Sequence, residues 1–306
     1  MAPSRTPNAV HVKARSFAVE QAQAQLKHLT VQISRGVKSC SAGAVHDVRV
    51  AIRRFTRAVA VCRPYFHAAD LRKNRKRLKK IMTEAGDVRN CDIALKFIVR
   101  FRVPQAPALR SKLRSRRTEL ARLLVADLRK WRERGSSVKW RATLKSPATP
   151  AKDLGEEPSQ EMAHRLLMRG VKDFLRQGDR ASSSQASPKE LHHFRIFAKK
   201  FRYSLELLQP LYGSSLDPMV ANIKHVSALL GDINDCVTAV EIFSEYKGGQ
   251  RLVDRLKKRQ HKKTEEFRKY WKEFSRGEQA KSVEPQELKK PVANAATRSS
   301  RRESAA

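Results

Sequence analysis

With 306 residues, 40% of them hydrophobic, the chain can bury the core of one large domain or of two ordinary ones. Its 65 Lys and Arg against 30 Asp and Glu give a formal charge of +35, so we expect a polyanionic partner that relieves the self-repulsion: inorganic polyphosphate, nucleic acid or an anionic membrane surface. The four cysteines show neither CxxC nor Cys/His spacing, and no apolar run is long enough to cross a membrane, which excludes zinc-finger, disulfide-framed and membrane-spanning classes.

The first 16 residues lack the apolar segment of a secretory signal. We expect them to form a short disordered lead, although their Arg and Ser and their scarce acids are also typical of a mitochondrial presequence. A soluble, cytoplasmic protein follows from these features. We expect no metal and no cofactor, and the sequence carries no signal for the oligomeric state.

Four helices are predicted in the first half of the chain, at residues 17–38, 45–63, 69–100 and 107–134. Pro64 and Pro104 cannot continue a helix, and Gly135 is typical of a helix end. A linker at 135–158 follows. The second half is predicted to contain four more helices, at 159–177, 188–209, 215–246 and 249–275. Beyond them, residues 276–306 lack apolar periodicity and are predicted to be a disordered basic tail.

The second half repeats the first. VHDVRVAIRRF (45–55) aligns with LHHFRIFAKKF (191–201), a shift of 146 residues. LKKIMTEAGDVRNCD (78–92) aligns with IKHVSALLGDINDCV (223–237), a shift of 145 residues. Two matching blocks in the same order indicate an internal duplication. Because strand signals are nearly absent, the predicted fold is all-α, with one four-helix unit in residues 17–134 and another in 159–275.

Each repeated helix has an apolar stripe at helical spacing, predicted to face the core: Val45, Val48, Ile52, Phe55 and Val59 in one copy, Leu191, Phe194, Ala198, Phe201 and Leu205 in the other. A second stripe is basic in both copies and comprises His46, Arg49, Arg53 and Arg57, and His192, Arg195 and Lys199. A basic face is usually only a solvated face. Like charges four residues apart repel each other, however, and the stripe recurs in both copies, so an anion-binding site is favoured.

Neighbouring cations should lower the pKa values of His46 and His192 in the empty site, and a bound polyanion should raise them again. Binding is therefore expected to be tighter at low pH.

The basic run RKNRKRLKK (72–80) is predicted to be solvated surface, except for Lys79, whose counterpart is Lys224. The two Gly-Asp pairs at 86–87 and 231–232 are predicted to allow close helix packing and to orient neighbouring bases. Arg89 and Asp92 are interpreted as a local ion pair or a helix cap.

The two repeated motifs, each followed by an LKK…GDVRNCD-like segment, resemble the conserved histidine α-helical domain family, CHAD, over about residues 17–275. The resemblance implies two four-helix bundles related by pseudo-twofold symmetry, with basic helices lining a central channel or groove. It also implies binding of inorganic polyphosphate, and localisation to polyphosphate granules. The phosphate-contacting positions that it implies are His46, Arg49, Arg53, Arg54, Lys79, His192, Arg195, Lys199, Lys200, Arg202 and Lys224.

One position departs from the family motif: Thr56 stands where a base is usual, opposite Arg202, and Arg57 is the predicted substitute. The resulting hypothesis is a non-enzymatic polyphosphate-binding module. The alternative is a basic helical protein that binds nucleic acid without sequence specificity, although Tyr203 is the main aromatic residue available for base stacking. An enzyme is disfavoured because Asp47 and Glu190, the acids of the two basic stripes, do not occupy equivalent positions.

Overall fold

The computed structural model describes residues 13–102, 107–146, 159–246 and 248–277. In these ranges the chain forms nine α-helices, two short 3₁₀ turns and no β-strand, which confirms the predicted all-α fold. The helices are α1 Ala14–Lys38, α2 Ala42–Val61, α3 Ala68–Phe101, α4 Pro107–Glu133, α5 Ser136–Lys145, α6 Ser159–Ser182, α7 Pro188–Tyr212, α8 Asp217–Ser244 and α9 Gln250–Arg276. None of these helices is long and apolar enough to cross a membrane.

All eight predicted helices are present, with shifted ends. Helix α1 begins at Ala14, inside the predicted lead, and α7 continues through Pro210 to Tyr212. The rest of the predicted lead lies outside the described residues, except for residue 13, and so does the predicted tail from residue 278 onward. The segment 135–158, predicted to be a linker, starts with helix α5, and its residues 147–158 are also outside the described ranges.

Helix α5 is short, but it is part of the core. Gly135, with a φ of 59°, reverses the chain after α4, a conformation that glycine adopts without strain. Trp140 is then buried to 1% exposure and meets Phe55 of α2 edge to face, with ring centroids 4.9 Å apart. On the α3 side, Asn74 Nδ2 donates to Thr143 Oγ1 at 2.9 Å. The aromatic contact supports α2 from the side opposite its basic face.

The four long helices of each copy contact one another in a closed ring, α1–α2–α3–α4 in the first copy and α6–α7–α8–α9 in the second. The two rings meet where α2 contacts α7, α3 contacts α8 and α1 contacts α6. One buried hydrophobic cluster runs through both rings, and a second joins the C-terminal parts of α3 and α8 to α9. The helices that carry the repeated motifs therefore face each other at the centre of the molecule. Twofold symmetry between the copies stays a prediction.

The predicted core stripes of α2 and α7 are confirmed, since all ten side chains are at most 7% exposed. Because an α-helix turns about 100° per residue, this burial leaves the basic stripes on another flank of each helix. The two basic flanks lie close to the contact between α2 and α7. Basic side chains of both sequence copies are therefore close to one another.

Candidate anion-binding site

An open cavity of about 810 Å³ lies between α2 and α3, and is called the α2–α3 cavity below. Its polar wall is dominated by cations, with six basic side chains against one acidic side chain. The charged residues of the wall are Arg49, Arg53, Arg72, Arg75, Lys76, Lys79 and Asp87. An anionic ligand is the complement that such a wall favours.

A second cavity of about 300 Å³ lies between α2 and α7 and is called the α2–α7 cavity. It shares Arg53, Thr56 and Arg75 with the α2–α3 cavity, so the two cavities adjoin, and together they are called the groove below. Its other cationic lining residues are Arg57, Arg195, Lys199 and Lys200. The structure thus brings side chains of both sequence copies into one basic groove.

Three cations at the centre of the groove are strongly desolvated. Burial, together with the neighbouring charges of Arg195 and Arg53, lowers the pKa of Lys199 to about 7. The pKa of Arg49 falls to about 10 for the same two reasons, burial first and Arg53 second. Burial also lowers the pKa of Arg195, although Asp235 opposes the shift. The empty groove therefore holds like charges at a cost to stability.

Asp235 of α8 is the carboxylate whose charge favours the protonated forms of Arg195 and Lys199. Burial raises the pKa of Asp235, and the charges of Arg89, Arg195 and Lys199 oppose that rise. One acid among several bases leaves the cluster cationic. Sequence reasoning missed Asp235, because its counterpart in the first copy is Asn90 and the duplication gave no signal there.

Arg49 is held by the backbone of α3. Its Nη1 donates to the carbonyl oxygen of Met82 at 3.1 Å. A Cβ on Gly86 would lie 3.0 Å from the same Nη1, so the missing side chain lets the guanidinium approach the helix closely. Nothing lies within 4 Å of the equivalent Cβ position on Gly231. The predicted role of the Gly-Asp pair in positioning a base is therefore seen in the first copy, whereas Gly231 faces open space.

The family model described as CHAD domain matches residues 20–244, which include the basic flanks of α2 and α7 and the whole groove. This chain belongs to the CHAD domain family. Among solved structures, the crystal structure of the CHAD domain from the plant Ricinus communis is similar, with a TM-score of 0.61 and 17% sequence identity. The match covers 95% of this chain and 99% of that one, and it shows a shared fold. No match was found among curated proteins.

In this CHAD domain, two of the predicted site residues, Arg54 and Arg202, form ion pairs with the same glutamate. Arg54 Nε contacts Glu206 Oε2 at 2.8 Å, and Arg202 Nε contacts Glu206 Oε1 at 3.4 Å. The guanidinium of Arg202 also lies over the ring of Tyr203, 4.9 Å from its centroid. Both arginines are thus already paired at the α2–α7 contact, and neither lines the two cavities of the groove.

Arg57 lines the α2–α7 cavity of the CHAD domain, and its Nε donates to Ser204 Oγ at 2.7 Å. Thr56 lines both cavities, but its Oγ1 donates to the Ile52 carbonyl oxygen at 2.7 Å. Arg57 therefore supplies a cation beside Thr56, at the position predicted for the substitute base. Lys224 is exposed like its counterpart Lys79, but it differs from Lys79 because it lines none of the cavities described here.

His46 and His192 lie outside these two cavities. Partial burial and the charge of Arg89 lower the pKa of His46, which confirms the predicted direction for that residue. His192 Nδ1 lies 3.1 Å from Asn234 Oδ1 and lines a small cavity of about 60 Å³ between α7 and α8. Among the described residues, no group of three or more His, Cys, Asp or Glu side chains is placed to hold a metal ion.

Arg72, Arg75 and Lys76 are exposed, as predicted for their basic run, and they also line the α2–α3 cavity of the CHAD domain. The predicted Arg89–Asp92 ion pair is wrong, because Asp92 Oδ1 instead pairs with Arg117 Nε of α4 at 2.9 Å. Arg89 acts electrostatically on His46 and Asp235, on the side of α3 that faces the other copy. Helical spacing alone could not distinguish these partners.

Proposed function

We propose that this CHAD domain binds inorganic polyphosphate in the groove formed by the α2–α3 and α2–α7 cavities, without converting it chemically. One observation carries the proposal: the α2–α3 cavity has six basic side chains against one acidic side chain, and it adjoins a second cavity lined by cations of both copies. Phosphate oxygens accept charge-assisted hydrogen bonds from guanidinium and ammonium groups. A linear polyanion can make such contacts along the whole groove.

The electrostatics of the empty groove support this function. Lys199 and Arg49 have lowered pKa values, which means that the protein disfavours their charged forms when no anion is present. A bound polyphosphate chain would supply the missing negative charge to both. Binding would therefore relieve the repulsion between these cations, which destabilises the free protein.

Nucleic acid has less support from the lining of the groove. Tyr203 is the one aromatic residue that lines either cavity of the groove, and it is only 5% exposed, beneath Arg202. Its ring is therefore not free to stack on a base, which is the usual way of holding single strands. A phosphate chain without bases needs no such platform.

Binding without catalysis is the second element of the proposal. Glu190 is already used in a capping box at the start of α7, where its Oε2 accepts from the Ser187 backbone N–H at 2.7 Å. Asp87 and Asp235 each lie among bases.

We also propose that affinity for polyphosphate holds the protein at cytoplasmic polyphosphate granules. Imaging of a tagged chain beside a polyphosphate stain tests this localisation.

A competition experiment tests the proposal. Labelled long-chain polyphosphate bound to the protein at about 150 mM salt is titrated with unlabelled polyphosphate or with single-stranded DNA. We expect polyphosphate to displace the label at a phosphate concentration about tenfold lower than DNA. Displacement by DNA at equal phosphate concentration would support the nucleic-acid alternative instead. Shortening of the polyphosphate chains during the incubation, with or without Mg²⁺, would contradict binding without catalysis.

Affinity should rise as the pH falls. Near pH 7 the pKa of about 7 leaves Lys199 roughly half protonated in the empty groove, and a bound polyanion raises that pKa, so the complex holds more protons than the free protein. We expect binding about five to ten times tighter at pH 6 than at pH 8, with proton uptake. Calorimetry in two buffers of different ionisation enthalpy measures that uptake. Lys199→Gln should remove most of it, and an uptake unchanged by this substitution would contradict the assignment.

A further inference from the structure

The two sequence copies differ in the cavities beside their equivalent helices. The cavity of about 810 Å³ lies between α2 and α3, whereas the cavity of about 60 Å³ between α7 and α8 is lined by other positions of the repeat, except for Arg195, the counterpart of Arg49. The smaller cavity is lined mainly by apolar side chains, with Leu191, Leu230 and Ile233 among them. His192 and Asn234 contact each other at its wall. The side chains that line the two cavities therefore offer different surfaces to an anion.

The difference in charge follows from α3 and α8. With the shift of 145 residues, the α3 positions that line the large cavity correspond to uncharged or acidic positions in α8. Arg72 aligns with Asp217, Arg75 with Val220 and Lys76 with Ala221. Only Lys79 has a basic counterpart, Lys224, and that side chain lies outside the cavities described here. The two copies have thus diverged, and the cationic wall is present on α3 but not at the equivalent positions of α8.

The basic side chains of the α3 wall form a row along the helix, which is called the α3 track below. Arg72, Lys76 and Lys79 are separated by four and three residues, so they lie on one face of the helix, and Arg75 lies beside them. The lining continues along α3 through Thr83 to Asn90. Since an α-helix rises 1.5 Å per residue, the lined part of α3 is about 27 Å long. All four bases are exposed, so they are accessible to a ligand.

We propose that polyphosphate binding is one-sided: the chain extends from the central cations onto the α3 track of Arg72, Arg75, Lys76 and Lys79, and does not extend onto α8. This inference rests on the proposed function, and it names the half of the CHAD domain that holds the extended anion. It also assigns different roles to two equivalent positions. Lys79 contacts phosphate, whereas Lys224 does not.

The duplication supplies a matched pair of variants to test this. Lys79→Gln and Lys224→Gln remove the same charge from equivalent, exposed positions. We expect Lys79→Gln to weaken binding of long-chain polyphosphate about threefold to fivefold, and Lys224→Gln to change it by less than about 1.5-fold. The triple substitution Arg72→Gln/Arg75→Gln/Lys76→Gln should weaken it by at least about tenfold. Circular dichroism of each variant checks that the helices are intact.

Two results would overturn the one-sided site while leaving the proposed function intact. The first is equal weakening by Lys79→Gln and Lys224→Gln, which would indicate a symmetric site. The second is a triple variant that binds as tightly as the wild type. A wild-type protein that fails to bind polyphosphate, or that prefers DNA in the competition experiment, would instead overturn the proposed function and this inference with it.

Discussion

Replacing Arg53, Arg195 and Lys199 together by Gln is expected to weaken polyphosphate binding by about a hundredfold at about 150 mM salt. Arg53 lines both cavities of the groove, and the other two line the α2–α7 cavity where the copies meet. Each cation that contacts phosphate releases counterions from the polyanion, so the slope of log affinity against log salt should become shallower by roughly one for each lost contact. Fluorescence anisotropy with labelled polyphosphate across a salt series measures both quantities.

A control with the same change in charge is available on α9. Arg251, Lys258 and Lys262 are exposed on that helix and line none of the cavities described here. Their triple replacement by Gln should reduce affinity less than about threefold, through the general loss of charge. Equal losses in the two triple variants would show that net charge, and not the groove, governs binding.

The variant with Arg53, Arg195 and Lys199 replaced by Gln should also unfold at a denaturant concentration equal to or higher than that of the wild type. Burial and mutual repulsion lower the pKa values of Lys199 and Arg195, so removing these charges relieves a cost in the free protein. Opposite changes in affinity and stability would separate a lost binding site from a misfolded protein. A variant that is both weaker in binding and less stable would contradict this account of the groove.

Trp140→Ala is expected to lower the free energy of unfolding by about 3 to 5 kcal/mol. The indole is 1% exposed, and its edge-to-face contact with Phe55 fixes α5 against the inner side of α2. Truncation removes a large buried surface and leaves a cavity beside the helix that carries Arg49 and Arg53. Chemical denaturation followed by circular dichroism measures the loss.

Val138 provides the control on the same helix, because its side chain is 64% exposed. Val138→Ala should change the free energy of unfolding by less than about 0.5 kcal/mol. A small effect of Trp140→Ala, comparable to that of Val138→Ala, would mean that α5 behaves as the linker that the sequence suggested.

The parts of this fold that sequence could predict are those that follow from helical periodicity and from the duplication. Val45 to Val59 and Leu191 to Leu205 lie at core spacing, and their burial on α2 and α7 follows from that spacing alone. The family resemblance came from the same two blocks, and the match to residues 20–244 confirms it. The central basic residues Arg49, Arg53, Arg195 and Lys199 were predicted because they recur in both copies.

The remaining features depend on tertiary contacts that no local pattern encodes. Arg54 and Lys200 are equivalent in the two copies, yet Arg54 pairs with Glu206 and Lys200 lines the α2–α7 cavity. The run that contains Arg72 and Arg75 resembles any solvated basic surface until α2 is placed beside it. Helix α5 was missed for a similar reason, since ten residues with one large aromatic anchor give little periodicity.

The hydrophobic cluster that runs through both rings of helices gives the duplication a further meaning. Each copy is a unit of descent, but neither is a unit of folding, because part of its apolar surface is covered only by the other copy. The ancestral single copy would have needed a second molecule to cover that surface. Fusion into one chain removes the requirement that both partners stay identical, and this freedom allows α3 to carry a row of cations that the equivalent positions of α8 lack.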